Sequence, residues 1–294
     1  MKHFLLYTLL LISSFSKAQY NKGENLVNVI PYWNKGAVYE YEVTETKYDF
    51  KRYDTINRKT TSYDLKLTII DSTENSYTVE WKTKINMPTE NPEIIKIIEE
   101  HFKDLGDYKI LYKTNELGAI QEITNQDEVK KYYTRLMNIA TKDLNLSENE
   151  KKLFFQFIDN DEYFNTFLLQ DLNQFHQFYS YQFTTTPIIN EIEYTNPFTN
   201  TPIQLKQTYK LNQYDEEDET YSLRMDQYVD EEKFLNDIKK IITKKKDDTL
   251  KDMNVWVSLE QVLHNSGILL YSKNTKVVDV DGTSKSVIKE FILK

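Results

Sequence analysis

Glu191 and Glu193 stand two residues apart in a strand-like run, so both carboxyls share one face. Such a pair could serve acid–base work on a glycosidic bond. A solvated strand face is the simpler account. Three histidines lie beyond the first eighteen residues: His101, His176 and His264. His101 follows Ile94 and Ile98 at helical spacing and reads as a core residue, as does His176 inside an aromatic helix. His264 sits beside a turn and reads as exposed. The chain has no cysteine, hence no thiol nucleophile and no thiolate metal site. Its six glycines are scattered too widely for a phosphate loop or a dinucleotide fingerprint. Neither a Gly-x-Ser-x-Gly elbow nor a His-Glu-x-x-His pair occurs. The acidic run Asp215–Glu219 lacks the interleaved spacing and the glycine of a calcium loop, and reads as a hairpin tip. Asp281-Gly282 reads as a hairpin turn. No catalytic residue, metal site or cofactor is expected.

The distinctive side chains are apolar rings. Between Leu153 and Phe183 phenylalanine and tyrosine crowd a helical stretch around most of its circumference, which calls for enclosure. If that enclosure holds a ligand, the candidate lining is Phe155, Phe157, Phe164, Phe167, Phe175 and Phe178. The competing account is that these rings fill a core between sheet and helices.

The elements that would position them alternate. Tyr39–Val43, Tyr63–Ile69 and Tyr77–Trp81 place apolar residues at every second position, the pattern of antiparallel strands with one wet face. A helix is predicted from Asn91 to Gly106, then strands at Tyr108–Thr114 and Ala119–Ile123. Asn125 with Glu128, and Ser147 with Glu150, read as capping boxes. Beyond the aromatic stretch, Ile203–Tyr214 and Tyr221–Val229 read as a hairpin. A helix carrying Phe234, Ile238, Ile241 and Ile242 follows, then strands at 255–263, 268–271, 276–280 and 287–293. Both halves thus read hairpin, helix, strands. The expectation is an α+β fold: curved antiparallel sheets in two pseudo-repeated halves, with a central aromatic-rich helical insertion over 124–180.

Met1–Ala18 has the form of a secretory signal peptide. Lys2 and His3 precede the apolar run Phe4–Ile12, and Ser16-Lys17-Ala18 offers small residues for cleavage before Gln19. Residues 19–294 are then a single domain. The full chain carries a net charge of −9, and cleavage removes two lysines and no acid. That balance opposes binding to nucleic acid, whose affinity comes from Lys and Arg on phosphates. Beyond the leader no apolar run approaches the length of a membrane span.

The richness in Lys, Asn, Ile and Tyr, with the ending Ser16-Lys17-Ala18-Gln19, resembles the secreted proteins of Bacteroidota. Asp54-Thr55-Ile56, Asp71-Ser72-Thr73 and Asp248-Thr249-Leu250 resemble the O-glycosylation sequon of that phylum, which implies exposed loops at all three. A curved sheet with helices over its concave face is similar to the lipoprotein-carrier half-barrels, in architecture and without a shared motif. The expectation that follows is a secreted, non-enzymatic protein of the cell envelope, periplasmic or extracellular, binding a hydrophobic small molecule or lipid. A carboxylate-based hydrolase such as a glycosidase, or a structural or interaction protein of the envelope, is the alternative.

Overall fold

The computed structural model describes residues 20–21, 23–52, 54–86, 108–143, 148–161, 164–195, 202–229 and 253–294. The expected signal peptide, the expected Asn91–Gly106 helix with His101, the expected Ser147 cap, the expected helix around Phe234 and the sequon at Asp248 lie outside the described residues.

The architecture is mostly β, with strands far outweighing helices. Two short strands, β1 (Tyr20–Asn21) and β2 (Leu26–Asn28), come first. A long antiparallel run follows: β3 (Val38–Lys51), β4 (Asp54–Ser72), β5 (Ser76–Asn86), β6 (Lys109–Asn115) and β7 (Ile120–Ile123). Helices α1 (Gln126–Asp143) and α2 (Glu148–Asp159), a π-helical turn (Phe164–Leu168) and α3 (Gln170–His176) then lead to β8 (Gln182–Thr184). The chain closes with β9 (Ile188–Thr195), β10 (Pro202–Asp215), β11 (Thr220–Val229), β12 (Met253–His264), β13 (Leu269–Val280) and β14 (Thr283–Leu293).

These strands form an 11-stranded antiparallel sheet in the order β7-β6-β5-β4-β3-β14-β13-β12-β11-β10-β9, and a 3-stranded sheet β1-β2-β8. The excess of strand over helix, gathered into antiparallel sheets, corrects the expected α+β fold of two repeated halves with a helical insertion. The first arm runs from the centre of the sheet outward, β3 to β7. The second runs from the opposite edge inward, β9 to β14, and β14 pairs with β3. Both arms thus cross the sheet in the same sense, toward the β7 edge. The strands flanking each expected helix also pair directly, β5 with β6 and β11 with β12. What lies between them therefore connects neighbours in a meander and does not separate repeated units.

The strands are longer than their alternation shows. Asp54–Thr60 extends β4 although every one of its residues is exposed, so no apolar phase betrays it. Threonine and isoleucine suit an extended chain there. The Asp281-Gly282 turn forms as expected: both residues have positive φ, +49° and +76°, as a type I′ hairpin requires. Asp215 Oδ1 accepts from Glu217 N and Asp218 N, which shapes the acidic tip between β10 and β11. Asn125 departs from the capping-box reading. Its Oδ1 accepts from Leu111 N at 2.7 Å and its Nδ2 donates to Lys109 O at 3.1 Å, so the side chain ties the start of α1 to β6.

One face of the large sheet carries the core. Tyr41, Val43, Leu65, Leu67, Val79, Trp81, Tyr112, Leu259, Leu263, Leu269 and Phe291 point into it and are buried. α3 lies across this face. A strap, residues 29–33, closes one end of it. Val29 N donates to Tyr181 O at 3.0 Å, Tyr32 N to Ser266 O at 3.1 Å and Tyr77 OH to Pro31 O at 2.9 Å. The strap presses on two hairpin turns, those of Gly118 and Gly267. A Cβ on Gly267 would meet Ile30 O at 2.1 Å, a distance no side chain tolerates.

Candidate functional site

The six phenylalanines do not share one pocket wall among the described residues. Phe175, on α3, meets Tyr41 edge-on at 5.5 Å and Trp81 at 5.6 Å. Phe178 packs on Phe183 at 5.4 Å and faces Tyr209. Phe164 packs on Tyr133 at 6.0 Å, with Lys130 Nζ over its ring. All three are buried, while Phe155 on α2 is half-buried. The side chains of Phe157 and Phe167 lie outside the described residues.

His176 is a satisfied core residue, as its helix position implied. Its Nδ1 donates to Gly118 O at 2.9 Å, and its Nε2 accepts from Tyr112 OH at 2.8 Å. Burial pushes its pKa down to about 4, partly opposed by the bond to Gly118. His264 is half-buried, with Nδ1 2.8 Å from Ser266 Oγ. Glu191 and Glu193 lie exposed on edge strand β9, where Glu193 accepts from Gln204 Nε2 at 2.7 Å. Thr55 is exposed near the β3–β4 tip. Ser72 ends β4 half-buried, its Oγ donating to Trp33 O at 3.4 Å, so that sequon is not the open loop its sequence implied. Among the described residues no group of three or more His, Asp or Glu is placed to hold a metal ion.

Polar side chains on the core-side face of the sheet form the chemistry that the sequence reading passed over. α3 ends in carbonyls that its own helix cannot satisfy. Gln261 Nε2 donates to Gln174 O at 2.6 Å, and Gln174 Nε2 donates to Ser272 Oγ at 3.1 Å. Gln261 and Ser272 are cross-strand partners and fully buried. The signal was present in the sequence: Gln261 falls in phase with Leu259 and Leu263, where an apolar residue belongs.

One step further from the strap lies an ion-paired cluster. Lys289 Nζ bonds Asp171 Oδ1 at 2.6 Å and Glu45 Oε2 at 3.1 Å, while Lys47 Nζ bonds Glu45 Oε1 at 2.9 Å. Tyr63 OH donates to Asp171 Oδ2. Burial works to raise the Glu45 pKa, but the bond from Lys47 and the charge of Lys289 outweigh it and hold the carboxyl below its ordinary value. Burial likewise opposes the Lys289 charge, and Asp171 outweighs it, so this ammonium sits above its ordinary value. Burial first, then the Asp171 charge, pushes the Tyr63 phenol up. The cluster thus stays charged at neutral pH, and Glu45 is a poor general acid.

A hollow of about 40 Å³ opens beside it, lined by Glu45, Gln170, Asp171, Gln174, Asn274, Lys276, Val287 and Lys289. Asn274 Oδ1 is buried there without a hydrogen-bond partner. Lys276 Nζ reaches only a neutral group, Gln170 Oε1 at 2.9 Å, and makes no ion pair among the described residues. A wider hollow of about 610 Å³ lies at the start of α1, lined mainly by polar residues from Thr124 to Lys130 with Asp161. None of the six phenylalanines lines either hollow.

Beyond the cluster the core-side face of the sheet divides. Partners across antiparallel strands share a face. On the first arm and its junction with β14, the register brings Lys59, Lys47 and Val287 into one row and Asp49 and Lys285 into the next. On the second arm, the same rows continue as Lys276, Val257, Gln227, Gln207 and Asn190, then Val278, Val255, Val229, Leu205 and Ile192. Ile188 stands in the row above, opposite Tyr209. Charge lines one side of the mouth and aliphatic side chains the other. Val278, Ile192 and Ile188 are 37%, 40% and 42% exposed. Neither a protein-family model nor a curated protein sequence matches the chain. The geometry must therefore carry the functional reading alone.

Proposed function

We propose that the protein is an exported, non-enzymatic binding protein of the cell envelope that takes a hydrophobic small molecule or lipid against the second arm of its sheet. The observation that carries this reading is the aliphatic row Val278, Val255, Val229, Leu205 and Ile192, which lies on the core-side face of the sheet yet is only half-covered. An antiparallel sheet normally buries such a face. In this reading Phe164, Phe175 and Phe178 act as packing that fixes the wall, and the sheet makes the ligand contacts. Export rests on the leader-like Met1–Ala18.

Mass spectrometry of organic extracts from the native protein should recover an apolar compound in stoichiometric amount. Folded, stripped protein should enhance the fluorescence of an anilinonaphthalene dye, and the apolar compound should displace it. A protein that neither carries an extractable compound nor binds the dye while folded would remove the proposal. Terminal sequencing of the exported product should begin at Gln19.

A further inference from the structure

The division of the mouth into a charged and an aliphatic side specifies more than an apolar ligand. We propose that the ligand is a single-chain amphiphile with an anionic headgroup, its head held at Lys276 and Asn274 and its chain laid along the second arm. The inference rests on the hydrophobic-ligand reading and assigns the chemistry of its polar end.

Three observations converge at the junction. Glu45 and Asp171 are already neutralised by Lys47, Lys289 and the Tyr63 hydroxyl, so the carboxylates in the hollow have partners. Lys276 makes no ion pair among the described residues: its ammonium bonds a neutral amide oxygen, and Asp171 and Glu45 act on it only through their charge. Although the residue as a whole is exposed, desolvation around the ammonium and the Lys289 charge hold its pKa below the ordinary value, so a nearby anion would be favoured. The Asn274 amide lines the same hollow with its oxygen buried and unpaired. That amide can turn its NH₂ toward an acceptor. At about 40 Å³ the hollow admits a few waters or one small anionic group, and no more. Val287 and Val257 flank Lys276 on either side in register, and Val278 and Val255 begin the aliphatic row beyond it. A chain leaving the head therefore meets methyl groups at once. A neutral or cationic amphiphile would leave Lys276 unmatched or repelled.

Calorimetric titration of the stripped protein, with each probe below its micellar concentration, tests this. Dodecanoate should bind at least tenfold tighter than dodecanol, and dodecyltrimethylammonium should bind no better than dodecanol. Dodecyl phosphate in the same series separates a phosphate from a carboxylate head; tight binding of either supports the assignment, and the tighter one names the group. Acetate should bind at least a hundredfold more weakly than dodecanoate. Lys276→Gln should cost dodecanoate about tenfold while leaving dodecanol unchanged, with an unaltered melting curve showing that the variant folds. Equal binding of dodecanoate and dodecanol, or a Lys276→Gln variant that keeps full dodecanoate affinity, overturns the headgroup assignment and leaves the hydrophobic reading standing. If no twelve-carbon probe binds, both fall together.

Discussion

The two ends of the core-side face of the sheet differ although the same strands run through both. Near the strap the inward residues of β12, β13 and β14 are buried: Leu263, Gln261, Leu269, Ser272 and Phe291. Along the same strands toward the far end, Val257, Val255, Asn274, Val287 and Lys289 are half-buried, and Lys276, Val278 and Lys285 are exposed. β3 and β4 repeat the gradient, from Tyr41 and Leu67 to Lys47 and Lys59. The strap and α3 make the difference. They fill one end with aromatic rings and hydrogen-bonded polar groups, and the far end is left with a lining. In the proposed reading, stability and binding belong to different ends of one sheet. Substitutions should separate them.

The largest effect should come at the strap turn. Gly267 and Gly282 both close hairpins with positive φ, +74° and +76°. The Gly267 turn is jammed against Ile30 and Pro31, whereas a Cβ on Gly282 would meet nothing within 4 Å. Gly267→Ala must displace strap backbone and should cost about 5 kcal/mol, at the extreme of single substitutions. Gly282→Ala should cost only the left-handed strain, about 1–2 kcal/mol. Urea denaturation midpoints compare them directly, and equal losses would mean that the strap does not hold the closed end. Next in size is Phe175→Ala. It removes a ring enclosed by Tyr41 and Trp81 and should cost about 4 kcal/mol. A loss below about 1 kcal/mol would show a loosely filled plug.

What the sequence disclosed follows the same gradient. At the strap end the apolar phase is strong, so Tyr41–Val43, Tyr63–Ile69 and Tyr77–Trp81 could be read as strands with their buried faces assigned. At the far end Asp54–Thr60 is exposed on both faces and has no apolar phase to read. The register was invisible for a different reason: the β3–β14 pairing joins residues more than two hundred positions apart, and no local pattern encodes it. That pairing joins two runs of sequential strands into one sheet. The site was half legible. Gln261, Glu45 and Lys289 each interrupt an apolar phase, which marks a polar group on the core side. Aromatic density instead drew attention to the phenylalanines, although dense rings more often mean packing.

The closed end should also respond to acid. His176 is neutral in the fold, with a pKa lowered from 6.5 to about 4 by burial. Below pH 6.5 the unfolded chain takes up a proton that the folded protein refuses. Stability from this residue is therefore intact above pH 6.5, falls as the pH drops toward 4, and changes no further below that. The full loss is about 3 kcal/mol. His176→Gln should lower stability at pH 7 by disturbing the bonds to Tyr112 and Gly118, yet it should flatten the dependence between pH 6.5 and 4. Midpoints of denaturation measured across that range decide it; an unchanged slope in the variant would place the acid sensitivity elsewhere.

The smallest effect on stability should fall at the far end. Ile192 sits on edge strand β9, inward-facing and 40% exposed. Ile192→Ser removes little buried apolar area and leaves no cavity, so the fold should change by no more than about 0.5 kcal/mol. The residue nonetheless belongs to the aliphatic row. If a ligand chain covers that row, the same substitution exposes a hydroxyl to the bound chain and should weaken dye and ligand binding several-fold. Phe175 provides the contrast: a shorter side chain there should cost stability first, and binding only through it. Paired melting and binding curves for the two variants test the division of labour. Ile192→Ser with lost stability and intact binding would mean that β9 is a structural edge, and that the chain of the ligand lies elsewhere on the sheet.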